Sequence, residues 1–227
     1  MIGIIGAMKI EVDALCAAMT DKQEETVSGI TFYCGTLYGT QAVVAECGVG
    51  KVFAAMCAQT MILRYGTDRI LNTGVGGSLS PDLHVTDVAL STACVQHDMD
   101  TSALGDPKGM ISGINVIALP CDEALRRTAQ KAAEGLGVHT QCGVIVSGDR
   151  FIGNREEKTR LSRDFDGIAC DMESAAIAHV CYVNRIPFLA IRAISDNADG
   201  AAELSFAEFA ALAAKQSIEI IRLMLEA

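Results

Sequence analysis

Ile186-Pro187-Phe188-Leu189-Ala190-Ile191-Arg192-Ala193-Ile194-Ser195-Asp196-Asn197-Ala198-Asp199-Gly200 divides into two halves of opposite character. The first is a run of apolar residues, with Pro187 near its start and no helical charge pattern, and it predicts a strand covered on both faces. The second turns polar at Ser195, Asp196, Asn197 and Asp199, where the strand must end. In α/β sheets ligands sit outside the carboxyl ends of the strands, which makes Asp196 a candidate site residue. A plain turn built from residues that favour turns accounts for the same letters.

Working outward from this strand, the same alternation recurs. Residues 167–170 predict a short strand, followed by Asp171-Met172-Glu173-Ser174 and a helix through Val183. Asp171 suits an N-cap and Glu173 a first helical turn, so capping and the helix dipole account for both without chemistry. Residues 139–147 predict a strand that runs into Gly148-Asp149-Arg150-Phe151-Ile152, and this Phe-Ile pair is either core or the apolar wall of a pocket. An exposed helix is expected over 122–136, and a capping box, Ser205 to Glu208, is expected to open a final helix whose buried stripe includes Phe206, Phe209, Ala213, Ile220 and Leu223.

Towards the N-terminus, residues 2–5 read as a buried strand and Gly6 ends it. Val12, Leu15, Cys16 and Met19 then repeat at helical spacing, with Glu11 at the edge of that face, where the dipole alone favours a carboxylate. Residues 25–47 predict a meander of three strands, over 26–30, 31–37 and 41–47. Gly48-Val49-Gly50-Lys51 leads into a helix over 52–64, but it lacks the earlier glycine and the following Ser or Thr of a phosphate loop. Residues 69–73 predict a strand, and the glycines of Gly74-Val75-Gly76-Gly77-Ser78 after it permit close backbone approach to a ligand. Residues 85–95 are β-rich. His97-Asp98-Met99-Asp100 invites a metal reading, yet neighbouring side chains of an extended chain point in alternating directions, so a hydrogen-bonded loop is expected. The small, polar stretch 101–113 is expected to be a surface or subunit-contact loop.

The composition narrows the function. With 227 residues, half of them hydrophobic, the chain can bury a substantial core, and its length fits one domain, residues 1–227. A net charge of −10 without clustered Lys and Arg argues against nucleic acid. The nine cysteines have no zinc-like spacing and predict reduced, buried thiols in a cytoplasmic protein. Neither a signal peptide nor a membrane span is expected. Alternating strands and helices predict an α/β fold, a three-layer sandwich with a central mixed, twisted sheet flanked by helices. Glu11, Glu173 and Asp196 each follow a predicted strand; together with the glycine run and Phe151-Ile152 they describe an apolar pocket with acids at one end, suited to general acid and base chemistry.

Six motifs occur in order along the chain: Gly3-Ile4-Ile5-Gly6-Ala7-Met8-Lys9-Ile10-Glu11-Val12, Gly48 to Val52, Asn72-Thr73-Gly74, Val146 to Ile152, Asp171 to Val180, and Arg192-Ala193-Ile194-Ser195-Asp196. With them the chain resembles the bacterial 5′-methylthioadenosine/S-adenosylhomocysteine nucleosidases of the nucleoside phosphorylase superfamily. The resemblance implies hydrolysis of the N-glycosidic bond between adenine and a 5′-thio-substituted ribose, by a homodimer, without cofactor or metal. Asp196 would protonate N7 of adenine, and Glu11 would activate water. Glu173 would bind the ribose hydroxyls, with Met172 against the sugar, Phe151 stacked on adenine and the backbone of Ile152 reading the purine edge. Met8, Gly76, Arg192 and Ser195 complete the implied substrate-binding set. Arg192 would stand near the water, or pair with Glu173 or Glu11.

An acid at the purine must keep its proton at working pH, so burial or a neighbouring acid is expected around Asp196. Two departures from the family pattern stand out. Val75 replaces a serine of many relatives, and the loop over 101–106 lacks their aromatic residues, leaving Leu104 to reach the neighbouring subunit's pocket. Among rival readings, a purine nucleoside phosphorylase would carry arginine at Asn72 and near Ala7-Met8-Lys9. A futalosine-type nucleosidase uses the same chemistry, and a non-catalytic nucleoside-binding protein would not need both Glu11 and Asp196.

Overall fold

The computed structural model describes residues 1–196 and 209–226 in full, and the backbone of 202–208. The polar stretch 197–200 and the side chains of Ser205, Phe206 and Glu208 lie outside the described residues. The strands are β1 (Ile2–Gly6), β2 (Thr20–Val27), β3 (Ile30–Leu37), β4 (Thr40–Glu46), β5 (Arg69–Ser78), β6 (Val88–Gln96), β7 (Ala118–Pro120), β8 (Thr140–Ser147), β9 (Gly167–Asp171) and β10 (Phe188–Asp196). The helices are α1 (Lys9–Ala18), α2 (Lys51–Tyr65), α3 (Glu123–Gly135), α4 (Arg155–Phe165), α5 (Ser174–Asn184) and α6 (Ala202–Glu226).

All of β10 is buried, as its apolar run predicts. Its side chains alternate between two faces of the sheet. Phe188, Ala190 and Ile194 join the core beneath α2 and α5, while Leu189, Ile191 and Ala193 join the core beneath α1 and α6. The same division separates Ile5 from Ile4 and Val43 from Val44. Each of the larger apolar side chains among them stabilises the fold by about 1.5–3 kcal/mol on burial, so a one-residue slip of β10 would misplace both sets.

The sheet is mixed, which is the expected α/β architecture with helices on both faces. β1 runs parallel between β4 and β5, and β2, β3 and β4 form an antiparallel meander. β10 pairs in parallel with β5 and antiparallel with β6. Since β6, β8 and β9 follow in order and β9 returns to β5, these strands with β10 close a ring. Cores on both faces of the sheet explain why β10 is apolar from Phe188 to Ile194 apart from Arg192.

Several local expectations change. The meander starts earlier, at Thr20, and turns at Ser28-Gly29, so its first strand is the polar, largely exposed Thr20–Val27. The glycines at 74–77 form no loop: they continue β5, pairing with β10 and β9. Asp171 is the last residue of β9, yet its carboxylate accepts the Ser174 amide that opens α5 at 3.2 Å, while Glu173 occupies the N-cap position without a side-chain cap bond. The last helix begins at Ala202, which places Ser205 inside it and removes the capping box. The segment 155–165, unassigned from sequence, is a helix capped by Asn154, whose side chain accepts from the Glu157 amide at 2.8 Å. The loop after β6 is hydrogen-bonded, as expected: Asp98 accepts from Lys51 Nζ at 2.6 Å and from the Asp149 amide at 3.0 Å.

One polar row crosses the apolar interior. Arg192 lies in β10 on the face of Phe188, Ala190 and Ile194, and it is 1% exposed. Nε donates to Asp171 Oδ2 at 2.7 Å, and Nη2 also pairs with that oxygen, at 2.6 Å. Nη1 donates to the carbonyls of Asn72 and Ile191, both at 3.1 Å, and Nη2 donates further to Asn72 Oδ1. Every guanidinium N–H is thereby committed. The expected pairing of Arg192 with Glu173 or Glu11 is corrected to Asp171, because the β8–β9–β5–β10 order brings the end of β9 over this row. Asp171 also accepts from the hydroxyls of Ser147 and Ser174.

Replacing Arg192 by Met should cost about 3–5 kcal/mol, because it strands Asp171 as a buried, uncompensated charge. A lowered urea midpoint with an unchanged slope is the expected observation, and a midpoint equal to the wild type's would contradict it.

Candidate active site

The chain ends of β1, β5, β9 and β10 meet at one pocket, and the sequence that leaves each strand supplies a wall. After β1, the chain turns through Ala7 and Met8 into α1, and Glu11 stands in the first helical turn, 2% exposed. Its Oε2 accepts the amides of Ala7 at 2.7 Å and Met8 at 2.9 Å, and its Oε1 accepts the Val75 amide at 3.0 Å. Glu11 therefore caps its own helix and faces the pocket with the same carboxylate. Burial raises its pKa, opposed by the charge of Arg192 and the three amides. A Cβ on Gly74 would lie 2.6 Å from Glu11 Oε1, which is why this strand position needs glycine.

After β9, Met172 and Glu173 enter the pocket. Glu173 is 6% exposed and its Oε1 accepts the Gly50 amide at 2.9 Å. The Gly48-Val49-Gly50-Lys51 turn thus serves to hold a carboxylate rather than a phosphate, with Lys51 itself engaged by Asp98 and, through its amide, by Asp149 at 2.8 Å. Burial first, then the charge of Asp171, pushes Glu173 up to about 7, against the pull of Arg192 and the Gly50 amide.

Asp196 ends β10, 2% exposed and facing the same pocket. Its Oδ1 accepts from Ser195 Oγ at 3.2 Å, and that hydroxyl also lies 3.4 Å from the Gly76 carbonyl. Oδ2 is ion-paired with Lys158 Nζ, both side chains being almost wholly buried. The neighbouring acid expected beside Asp196 is therefore replaced by an ammonium. Lys158 comes from α4, where it shares a buried stripe with Leu161. Sequence reading missed it, although a lysine at an apolar position of a capped helix was the available signal.

The remaining wall is apolar. Ile152 is buried and Phe151 half-exposed at the mouth, with Val75 and Val49 opposite. The structure thus gathers Met8, Glu11, Gly76, Phe151, Ile152, Met172, Glu173, Ser195 and Asp196 around one space. Arg192 lies elsewhere: it sits behind the wall, bonded to Asp171, and acts on Glu11 and Glu173 through its charge. Leu104, expected to reach the neighbouring subunit's pocket, is in a 3-10 turn at Ser102–Leu104 and is 84% exposed. The one cation on the pocket wall among the described residues is Arg150, at the rim and paired with Glu157 at 2.9 Å.

Because its folded-state pKa stands above the ordinary 4.5, Glu173 holds its proton longer in the folded chain than in the unfolded one. The stability tied to that proton is complete below about 4.5 and is lost as pH rises through about 7. Glu173→Gln, neutral throughout, should flatten the decline in melting temperature between pH 5 and 8; a decline parallel to the wild type's would refute this.

Residues 1–226 match the family model of the phosphorylase superfamily. The chain is 40% identical over 225 residues to a 5′-methylthioadenosine/S-adenosylhomocysteine nucleosidase of Actinobacillus succinogenes, covering 99% of this chain and 97% of the relative. It is 40% identical over 227 residues to the nucleosidase of the same description from Staphylococcus carnosus, covering 100% of this chain and 99% of the relative. Among solved structures, a Helicobacter pylori MTAN mutant with 5′-methylthioadenosine in its active site superposes with a TM-score of 0.95 at 35% identity, covering 99% of this chain and 97% of that one. The futalosine hydrolase of Helicobacter pylori superposes with a TM-score of 0.94 at 34% identity, with the same coverage. From this full-length similarity, the chain belongs to the 5′-methylthioadenosine/S-adenosylhomocysteine nucleosidase family of the phosphorylase superfamily.

Proposed function

We propose that the pocket hydrolyses the N-glycosidic bond of 5′-methylthioadenosine and S-adenosylhomocysteine, releasing adenine and the 5′-thioribose. The observation that carries this reading is the convergence of Glu11, Glu173 and Asp196, all buried, on one pocket with an aromatic and an aliphatic side chain at its mouth. Cleavage passes through an oxocarbenium-like sugar, which carboxylates stabilise, and the purine leaves readily only when it gains a proton. Asp196 is the acid at N7. Glu11 activates the water: its three amide donors fix the carboxylate, while burial makes it a stronger base than an exposed glutamate. Glu173 holds the ribose hydroxyls with Met172 beside the sugar. Phe151 stacks on adenine, the Ile152 backbone reads its edge, and Met8, Gly76 and Ser195 line the remainder.

Water is the acceptor in this reading. A phosphate dianion would meet the carboxylates of Glu11, Asp171, Glu173 and Asp196 and only the paired Arg150 at the rim, whereas dianion sites are built from arginine clusters. The superposition with a futalosine hydrolase supports one further substrate class for the same chemistry, nucleosides with a larger 5′-substituent. Val75, which contributes its amide to Glu11 and no side-chain hydroxyl, bears on that choice. All nine cysteines are free, which suits a reducing, cytoplasmic compartment, and the proposed substrates assign the enzyme to methionine salvage.

The reading includes a homodimer. Val52, Phe53 and Met56 of α2 are exposed beside Tyr182 and Val183 of α5, and an apolar face of this kind suits a second copy of the chain. Leu104 would then close the neighbour's pocket.

Free adenine should appear from 5′-methylthioadenosine and S-adenosylhomocysteine at the same rate with and without phosphate, as followed by chromatography; strict phosphate dependence would convert the reading to a phosphorylase. Asp196→Asn should lower kcat by about 10²–10⁴-fold while ligand binding largely survives, and full activity would remove Asp196 from the acid role. Specific activity should fall on dilution in step with the loss of dimer by sedimentation, and Phe53→Glu should shift both to higher concentration. A fully active monomer would exclude the shared site.

A further inference from the structure

The Asp196–Lys158 pair is more deeply buried than any other ion pair to a lysine among the described residues, with side chains 3% and 1% exposed. Taking both ions out of water is costly, and an apolar side chain at 158 would pack beside Leu161 without that cost. Stability therefore does not explain the lysine. Its position does: the ammonium donates to Oδ2 of the carboxylate that faces the pocket, from behind the pocket wall. On the β5 side, a Cβ on Gly77 would come within 2.9 Å of Asp196 Oδ2 and 3.1 Å of Cys170 Sγ, so this glycine leaves room for the pair.

An acid that meets N7 must carry a proton, and Lys158 Nζ is a donor bonded directly to Asp196 Oδ2. We propose that Lys158 is the proton store of Asp196, a positioning residue that holds the carboxylate at rest and passes it a proton when the purine arrives. The inference rests on Asp196 being the acid. In the first step an Nζ–H bond of Lys158 breaks as an O–H bond forms on Asp196; this removes two buried charges at once, so the low-dielectric site favours it more than water would. In the second, that O–H bond breaks as N7–H forms, and the electron pair of the C1′–N9 bond remains on the departing adenine. Water adds its oxygen to C1′ and loses a proton to Glu11, which releases it to solvent. Solvent returns one proton to Lys158, and the sum is hydrolysis alone.

Among the described residues, the pair is faced from β9 by the Cys170 thiol, which burial pushes up to about 12, and beyond it by Asp171, already bonded to Arg192. From β10 it is faced by the Ser195 hydroxyl, and from β5 by Gly77, which has no titrating group. Across the pocket stand Glu11 and Glu173, with Arg150 at the rim.

The test is the pH dependence of kcat/KM for 5′-methylthioadenosine in the wild type, Lys158→Met and Lys158→Arg. An ammonium–carboxylate pair parts with its last proton at higher pH than a lone carboxyl group does. Lys158→Met should therefore move the alkaline limb at least one pH unit towards acid, with the rate recovering on the acidic plateau and KM changing less than kcat. Lys158→Arg keeps the charge but cannot release a proton, so it should not restore the alkaline limb. An alkaline limb in Lys158→Met that coincides with the wild type's, or one restored in Lys158→Arg, would overturn the proton store. Should Lys158→Met fail to fold, Lys158→Arg decides by the same criterion. Asp196→Asn is assayed in parallel: if it is active, the acid assignment itself fails, whereas an inactive Asp196→Asn beside an unshifted Lys158→Met defeats only the role of Lys158.

Discussion

The buried pair of Arg192 and Asp171 is the constraint on which the other parts depend. It joins β10 to β9, and through Asn72 it also holds β5, whose Asn72 Nδ2 donates to the Ile5 carbonyl of β1 at 2.9 Å. Four strands that end at the pocket are thus fastened by one polar row within an apolar interior. A cation there must be fully bonded to be tolerated, and the bonding it requires fixes the relative height of the strand ends. The carboxylates that follow those ends inherit that precision.

The same cation sets the electrostatics above it. Glu11 and Glu173 both feel its charge, and both are nevertheless pushed up by burial. They differ in what holds them. Glu11 is clamped by three amides, whereas Glu173 has one amide and the like charge of Asp171 nearby. Asp196 stands apart, faced by a hydroxyl and an ammonium. Glu11, Glu173 and Asp196 therefore face one pocket in three distinct environments, beside an Asp171 already paired with Arg192, which is how groups of the same chemistry take on different duties.

Much of the architecture was legible because burial leaves a periodic trace. β10, β1, β8, α1 and α3 fall where apolar runs or helical spacing put them. The boundaries that moved had physical reasons. The glycines after Thr73 read as a loop because glycine is permissive, but close approach to Glu11 and Asp196 requires them inside a strand. β2 is polar and largely exposed, so it carries no alternation to detect. α4 escaped notice because charged residues fill most of it, and its buried face is only Lys158 and Leu161.

The sequence by itself determined the α/β pattern, the family motifs and the identity of the three pocket acids, since each acid follows a strand and strand ends are local features. Only the tertiary structure decided the distant partners of the buried acids, whereas two of Glu11's amide donors, Ala7 and Met8, are local. Asp171 meets Arg192 across 21 positions of sequence, Lys158 meets Asp196 across 38, and Gly50 meets Glu173 across 123. Periodicity reports which face of an element is covered, but not what covers it. The pairing of strands and the docking of α4 choose the group that stands opposite each carboxylate, and so set its charge and duty.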